Sequence, residues 1–204
     1  MNSRLRSLVL VSLAAFAAVS LQAASGAERL CGCDGPAIPT GRNPTWSPNG
    51  ARIAFTRSDL DTQIYVMKRN GTGLRRLTTD PQGASYQPDW SPDGTRIAFV
   101  DERGDNADSY VMNADGTHVT RLTTDPAADL SPDWSPDGHS IVFASYRNSP
   151  EDDDLAQIYV MNADGSGQHR VVIDADDDIR PEWSPDGAKI AFEGGGDDSY
   201  IDVV

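Results

Sequence analysis

The sequence predicts an all-β fold, a β-propeller of four-stranded antiparallel blades. A motif occurs four times, in which a tryptophan precedes Ser-Pro-Asp/Asn-Gly and an apolar strand; the tryptophans are Trp46, Trp90, Trp134 and Trp183. They are 44, 44 and 49 residues apart, which is the period range of a four-stranded propeller blade. Glycine-bearing turns and alternating β-branched or aromatic segments fill each period, so antiparallel hairpins are favoured over helices.

Residues 1–27 have the pattern of a secretory signal peptide. Arg4 and Arg6 precede an apolar run over residues 8–19, and small residues suit cleavage after Ala27. The run is shorter than the roughly 20 apolar residues of a membrane-spanning helix. We therefore expect no membrane span and an exported chain, periplasmic or extracellular, with a membrane anchor as the competing interpretation.

Residues 28–42 form an N-terminal segment before the repeats. They contain the only two cysteines, Cys31 and Cys33, which we interpret as a labile pair, because two thiolates alone make a poor metal site. Cys33 also lies in a local match to a lipidation box, so a lipoprotein signal stays open as a further alternative.

The charge of the chain excludes one class of partner. The formal net charge is −14, and it becomes −16 once Arg4 and Arg6 are removed with the signal. Such a surface repels nucleic acid phosphates and anionic lipid headgroups, and it favours cations or basic proteins. We expect no binding to nucleic acid.

The repeats divide residues 43–204 into four blades, which are 43–85, 86–129, 130–178 and an incomplete 179–204. In each blade the tryptophan ends the first strand, and Ser-Pro-Asp-Gly turns the chain into the apolar second strand. An alternating third strand leads through a turn such as Asn-Ala-Asp-Gly to a short fourth strand. The aspartates of both turns are interpreted as turn residues, because proline, aspartate and glycine each suit one turn position.

Three segments of the second repeat resemble the WD-like β-propeller repeats of TolB-type proteins. They are Trp90-Ser-Pro-Asp-Gly-Thr-Arg-Ile-Ala-Phe99, Ser109-Tyr-Val-Met-Asn-Ala-Asp-Gly116 and Arg121-Leu-Thr-Thr-Asp-Pro126. The resemblance implies a periplasmic propeller that binds protein partners at one mouth of its channel. The sequence departs from the family in having four repeats rather than six or seven, and no counterpart of the N-terminal α/β domain of TolB.

The last repeat stops in its third strand, which makes closure of the ring uncertain from sequence. We expect an open or partial ring. Two alternatives stay open: two chains join into a larger ring, or the N-terminal segment supplies the missing strand. An uncovered sheet edge favours pairing with another chain, so self-association through the last blade is a further expectation.

Acidic residues concentrate on one predicted face of the propeller. Because the strands alternate in direction, the loops between the second and third strands lie on the same face of the propeller as the connections between blades. The tight turns lie on the opposite face. By count, 20 of the 31 acidic residues fall on the face with the loops and connections. They are Asp59, Asp61, Asp80, Asp101, Glu102, Asp105, Asp108, Asp125, Asp129, Glu151, Asp152, Asp153, Asp154, Asp174, Asp176, Asp177, Asp178, Glu193, Asp197 and Asp198. Binding residues concentrate on such loops, but charge that only keeps the chain soluble explains the same pattern.

One repeat position on this face points to a binding rim. Ser85, Asp129 and Asp178 each lie five residues before a tryptophan. Since the first strand of each blade lines the channel, we expect these residues, with Asp177, to ring its mouth and contact a partner.

Clustered carboxylates also suit Ca²⁺, for which the candidates are Asp152, Asp153, Asp154 and Asp176. The loops lack the spacing of an EF-hand. Our prediction is therefore a chain without a cofactor or bound metal, with Ca²⁺ as the alternative.

The sequence contains no recognisable catalytic motif: there is no Gly-x-Ser-x-Gly, His-Glu-x-x-His or phosphate loop, and the three histidines do not recur at one repeat position. We predict a noncatalytic module that binds a basic protein or cell-envelope partner through its acidic loop face. The alternative is the propeller portion of a larger enzyme, such as a prolyl oligopeptidase-type peptidase or a polysaccharide lyase.

Overall fold

The computed structural model describes residues 40–58, 61–79, 83–104, 106–147, 155–172, 177–195 and 200–204. Over these ranges the chain is all β, with fifteen strands and no helix, which confirms the predicted fold class. In the same ranges no helix has the length and apolar character that crossing a membrane requires. The predicted signal peptide, Cys31 and Cys33 lie outside the described residues.

The strands form four antiparallel sheets in chain order, one for each repeat. Blade 1 contains β1 (Arg42–Trp46), β2 (Arg52–Arg57), β3 (Gln63–Lys68) and β4 (Arg75–Arg76). Blade 2 contains β5 (Ala84–Trp90), β6 (Arg96–Arg103), β7 (Asn106–Asn113) and β8 (Thr120–Arg121). Blade 3 contains β9 (Asp129–Trp134), β10 (Ser140–Ser145), β11 (Gln157–Asn162) and β12 (His169–Arg170). Blade 4 contains β13 (Ile179–Trp183), β14 (Ile190–Gly194) and β15 (Tyr200–Val203).

The first strands of the blades lie at the axis of the propeller. β1 contacts β5, β5 contacts β9 and β9 contacts β13, whereas the short fourth strands contact only their own blades. All four blades lie in one compact unit, Gly35–Val204. The side chains that line the channel must therefore come from the first strands.

The Ser-Pro-Asp-Gly turns are held by their own side chains. Ser91 Oγ donates to Asp93 Oδ1 at 2.6 Å, and Asp93 Oδ1 also accepts the Thr95 amide at 3.0 Å. Asp137 and Asp186 accept the same two hydrogen bonds in blades 3 and 4. In blade 1 the side-chain oxygen of Asn49 accepts them instead. The hydrogen bond from Ser91 is the main cause that holds the pKa of Asp93 below its ordinary value. These aspartates are turn residues, as the sequence predicts.

The second turn of each blade approaches the preceding blade closely. Gly116 has φ +82°, and a Cβ there would lie 2.8 Å from the carbonyl oxygen of Leu77 in blade 1. Gly165 repeats this contact on Leu122 in blade 2, at 2.7 Å. Glycine is required at both positions, because a side chain would clash with backbone atoms and would also adopt an unfavourable φ.

Each blade has two different faces. Where two blades stack, one type of face of the first blade packs on the other type of face of the second. The face that carries the tryptophan is called the Trp face here, and the opposite face, which carries a valine of the third strand, is called the Val face. The Trp face of blade 2 (Trp90, Ile97, Phe99, Tyr110 and Met112) packs on the Val face of blade 1 (Ala54, Ile64, Val66 and Leu77). Blade 3 packs on blade 2 and blade 4 on blade 3 in the same way. The core is therefore a series of interfaces between blades rather than one central cluster.

The four tryptophans differ in burial. Trp90 and Trp134 are 5% exposed, and Trp183 is half-buried. Trp46 is 57% exposed, because no described blade covers the Trp face of blade 1. The predicted role of filling the space between blades therefore holds for three of the four.

The ring is open over the described residues. Blade 4 contacts blade 3 and makes no contact with blade 1 among the described strands. β15 pairs with β14, and its sheet has three strands in the described part of the chain. The predicted open ring is confirmed, whereas a strand supplied by residues 28–39 falls outside the described residues.

Candidate functional site

The four axial strands share a distorted position. Asn43, Gln87, Ser131 and Arg180, each three residues before a tryptophan, have φ between 48° and 52°. In every blade the pairing of first and second strands shifts register at this point, so each first strand contains a bulge. Residues other than glycine seldom adopt positive φ, and such conformations concentrate at functional sites. The axial bulges are therefore candidates for a functional surface.

Hydrogen bonds between blades hold two of these bulges. Gln87 Nε2 donates to Ser131 Oγ at 2.9 Å, and the Ser131 amide donates to Gln87 Oε1 at 3.1 Å. The Gln87 amide donates to Thr56 Oγ1 of blade 1 at 3.2 Å. The bulge of blade 2 is thus tied to both neighbouring blades.

The residue directly before each tryptophan makes a second axial series, which consists of Thr45, Asp89, Asp133 and Glu182. Asp89 Oδ2 accepts the Trp134 amide of blade 3 at 2.9 Å, and Asp133 Oδ2 accepts the Trp183 amide of blade 4 at 2.8 Å. Thr45 Oγ1 donates to Asp89 Oδ1 at 3.2 Å. Thr45, Asp89 and Asp133 therefore connect the first strands of successive blades.

Burial raises the pKa of two axial residues, Asp89 and Asp133, above the ordinary aspartate value. Burial raises the pKa of Asp89 to about 6, although the Trp134 amide and Thr45 act in the opposite direction. Burial and then the charge of Asp89 raise the pKa of Asp133 to about 8. Binding a proton to one of two interacting carboxylates removes their mutual repulsion, so the charge of Asp89 adds to burial in raising the pKa of Asp133.

The predicted rim residues lie inside the propeller. Ser85, Asp129 and Asp178 are fully buried, with no exposed surface. Asp129 Oδ2 accepts a hydrogen bond from Arg147 at 2.8 Å, and Ser85 Oγ lies 3.4 Å from Asp101 Oδ2. Their predicted binding role stays a prediction, but full burial means that they act on a partner only through the loops they anchor.

Asp177 is the one rim residue with partial exposure. Asp177 is half-buried, and its Oδ1 accepts a hydrogen bond from the Ala156 amide at 2.8 Å. This bond holds the residue that directly precedes β11. The Ca²⁺ candidates Asp152, Asp153, Asp154 and Asp176 lie outside the described residues. Within the ranges given above, no group of three or more His, Cys, Asp or Glu is placed to hold a metal ion.

Arginines balance much of the buried charge on the loop face. Asp101 is 1% exposed and lies 3.2 Å from Arg103, and Asp108 is 3% exposed and lies 2.6 Å from Arg121. Carboxylates that keep solvent contact include Glu102, which is exposed, and Asp61 and Glu193, whose side chains are each 41% exposed. The face therefore presents fewer free carboxylates than the sequence suggests, and its loop ends are held by ion pairs between exposed arginines and buried aspartates.

Sequence reasoning missed the axial series. The signal is visible as a repeated tetrapeptide, Asn43-Pro-Thr-Trp, Gln87-Pro-Asp-Trp, Ser131-Pro-Asp-Trp and Arg180-Pro-Glu-Trp. Alignment of the repeats on proline would have marked both the bulge and the acidic position before each tryptophan.

Comparison with known proteins gives one family match. Residues 42–201 match the model described as TolB beta propeller domain. A 37-residue stretch is 51% identical to the Tol-Pal system protein TolB of Anaeromyxobacter dehalogenans, over 18% of this chain and 8% of that protein.

Solved structures agree on the architecture. The structure of a putative TolB from Agrobacterium tumefaciens aligns with a TM-score of 0.72 and 28% identity, over 82% of this chain and 64% of that one. A puromycin-hydrolyzing peptidase of Mycobacterium tuberculosis aligns with a TM-score of 0.65 and 18% identity, over 82% of this chain and 29% of that one. The chain spans less than two thirds of the length of each of these relatives.

Proposed function

The chain belongs to the TolB beta propeller domain family, and from that premise we propose that it is a noncatalytic protein-binding module of the cell envelope. It is exported, to the periplasm or the cell exterior, and it binds a basic partner through its acidic loop face. The relative named for the Tol-Pal system supports a protein partner in the envelope.

One observation carries the proposal. Exposed carboxylates such as Glu102 stand on loop ends where arginines pair with buried aspartates, among them Arg147 with Asp129 and Arg121 with Asp108. Binding groups on a rigid scaffold lose little conformational entropy when a partner docks. A basic partner would meet the exposed carboxylates of this face.

The noncatalytic assignment is supported by the surroundings of the histidines. His118 Nδ1 lies 2.8 Å from Asn113, and His169 Nδ1 lies 2.9 Å from the carbonyl oxygen of Gly167. His139 lies 3.5 Å from the turn residue Asp137. All three histidines are exposed; His118 and His139 belong to turns, and His169 begins β12. The likeness to a peptidase at 18% identity concerns the fold alone.

Photo-crosslinking in the native host tests the proposal. A photoreactive residue at Glu102 or Thr124, both exposed on the loop face, should give a discrete protein adduct. The same residue at Arg69 or His139, exposed on the turn face, is the matched control and should give none. Adducts at the turn positions only, or at none of the four, would refute a loop-face partner.

A further inference from the structure

A cavity of about 260 Å³ lies at the junction of blades 1 and 2. Leu77 lines it from blade 1, and Phe99, Arg103, Gly116 and Val119 line it from blade 2. Phe99 is fully buried, whereas Val119 is 42% exposed. The cavity therefore has an apolar floor and is reached from solvent beside Val119.

The junction of blades 2 and 3 repeats this arrangement with one change. The corresponding pairs of residues are Leu77 with Leu122, Phe99 with Phe143, Arg103 with Arg147, Gly116 with Gly165 and Val119 with Gln168. Of these five pairs, only the last changes the chemical character of the side chain. The second junction therefore shows what fits among the groups that the two junctions share.

Gln168 places its carboxamide group at the junction of blades 2 and 3. Its Nε2 donates to the carbonyl oxygen of Leu122 at 3.1 Å and to that of Gly165 at 2.9 Å. Its Oε1 accepts a hydrogen bond from Arg147 at 2.6 Å. Both N–H bonds and the oxygen of the carboxamide are thus used.

Val119 supplies no such group at the junction of blades 1 and 2. Among the described residues, no hydrogen bond reaches the carbonyl oxygen of Leu77 or that of Gly116. The side chain of Arg103, which also pairs with Asp101, is 49% exposed, whereas that of Arg147 is 14% exposed. Two carbonyl acceptors and an arginine donor therefore border the cavity in the positions that a carboxamide joins in the next junction.

We propose that this cavity binds a primary carboxamide, the terminal group of a glutamine side chain. The bound group donates to the carbonyl oxygens of Leu77 and Gly116 and accepts a hydrogen bond from Arg103. A carboxylate of the same size fits less well, because it has no N–H for the two carbonyl oxygens. Two sources carry this group, a small free amide and a glutamine of a polypeptide. The inference does not rest on the proposed function, since the ligand group is uncharged.

Two-dimensional NMR of the isotope-labelled chain tests binding with two probes, propionamide and N-acetylglutamine methylamide. We expect saturable shifts of the Gly116 and Val119 amide signals and of the Arg103 Nε signal, with a roughly millimolar dissociation constant because the group is small. Tighter binding of the glutamine probe assigns the group to a polypeptide, and equal or weaker binding assigns it to a free amide. No saturable shift with either probe would overturn the proposal and leave the cavity to water.

N-acetylglutamate methylamide is the matched control ligand, because it replaces the carboxamide by a carboxylate of the same shape. It should bind at least about tenfold more weakly than the glutamine probe, since a site that pairs with an N–H group rejects an analogue without one. Equal or tighter binding of the acid would show that Arg103 attracts anions in general, and would contradict a carboxamide site.

Val119→Gln should fill the cavity from within, as Gln168 fills the next junction. The variant should lose the shifts caused by propionamide, with binding weakened at least about tenfold. Leu74→Gln is the matched control, because Leu74 occupies the same repeat position in blade 1 and does not line the cavity; it should bind as the natural chain does. Unchanged binding by Val119→Gln, or equal weakening by both variants, places the probe elsewhere and contradicts the proposal.

Gln168→Val should create a second site at the junction of blades 2 and 3. Propionamide should then shift the Gly165 amide signal and the Arg147 Nε signal, neither of which should respond in the natural chain. Circular dichroism checks that the variant is folded. A folded variant with no response at Gly165 would show that the shared carbonyl and arginine groups do not bind a carboxamide, and the titrations of Val119→Gln test the same point without this variant.

Discussion

Replacing Trp134 by alanine should lower the free energy of unfolding by about 3–5 kcal/mol, the usual cost of removing a buried tryptophan. Trp134 is 5% exposed between blades 2 and 3, beneath the Arg96 guanidinium at 4.5 Å from the ring centroid. The substitution removes the largest side chain of that interface and opens a cavity beside Ile141 and Phe143. Urea titration followed by circular dichroism measures the change.

Leu74→Ala is the matched control for Trp134→Ala. Leu74 is 40% exposed and belongs to none of the three clusters between blades, so its loss should cost less than about 1 kcal/mol. Comparable losses for the two variants would contradict a core made of interfaces between blades.

Stability should fall as the pH rises from about 4 to about 8. In the folded chain the pKa values of Asp89 and Asp133 are raised to about 6 and about 8. A carboxyl group with a raised folded-state pKa stabilises the fold fully below its unfolded pKa, and this contribution is lost as the pH rises through the folded value. We expect a loss on the order of 2 kcal/mol, since one pKa unit corresponds to about 1.4 kcal/mol and both groups keep partial solvent contact. Thermal unfolding at pH 5, 6.5 and 8 measures it.

Asp133→Asn isolates the cause of this pH dependence. Asparagine keeps an oxygen for the Trp183 amide but carries no charge, so the variant should be more stable than the natural chain at pH 8 and should lose less stability between pH 5 and 8. Asp137→Asn is the control: its turn carboxylate has a lowered pKa, and its stabilising contribution disappears only at more acidic pH. An unchanged slope in Asp133→Asn would show that the axial carboxyl groups are not responsible.

Much of the fold could be predicted because its determinants are local. Proline, aspartate and glycine define the first turn within four residues, and the tryptophan period places successive blades. The unlike faces of a blade follow from strand alternation. The exposure of Trp46 could not be predicted in this way, because it depends on which blades lie beside it.

The site was harder to predict because burial depends on contacts between strands. Asp129 was expected at an exposed mouth, as aspartate usually is. Asp129 instead pairs in register with Ser145, whereas in blade 2 Ser85 pairs with Asp101, so serine and aspartate exchange places between the blades. In each of these two strand pairs the buried aspartate forms an ion pair with an arginine. Asp129 pairs with Arg147, two residues after Ser145, and Asp101 pairs with Arg103, two residues further along the same strand. Likewise, the link from Asp89 to the Trp134 amide joins residues 45 positions apart.

We propose that the repeated motifs build the scaffold and that the loop face recognises the partner. Partner capture by two variants with the same change in net charge tests it most directly. Glu102→Gln with Glu193→Gln removes two loop-face charges, and Ala51→Lys with Ala188→Lys adds two positive charges at exposed positions of the turn face. We predict that the loop-face variant captures several-fold less of the crosslinked partner at low salt, since exposed charges act over a screened range, while the turn-face variant captures as much as the natural chain. Equal capture by both, or a loss confined to the turn-face variant, would contradict the account.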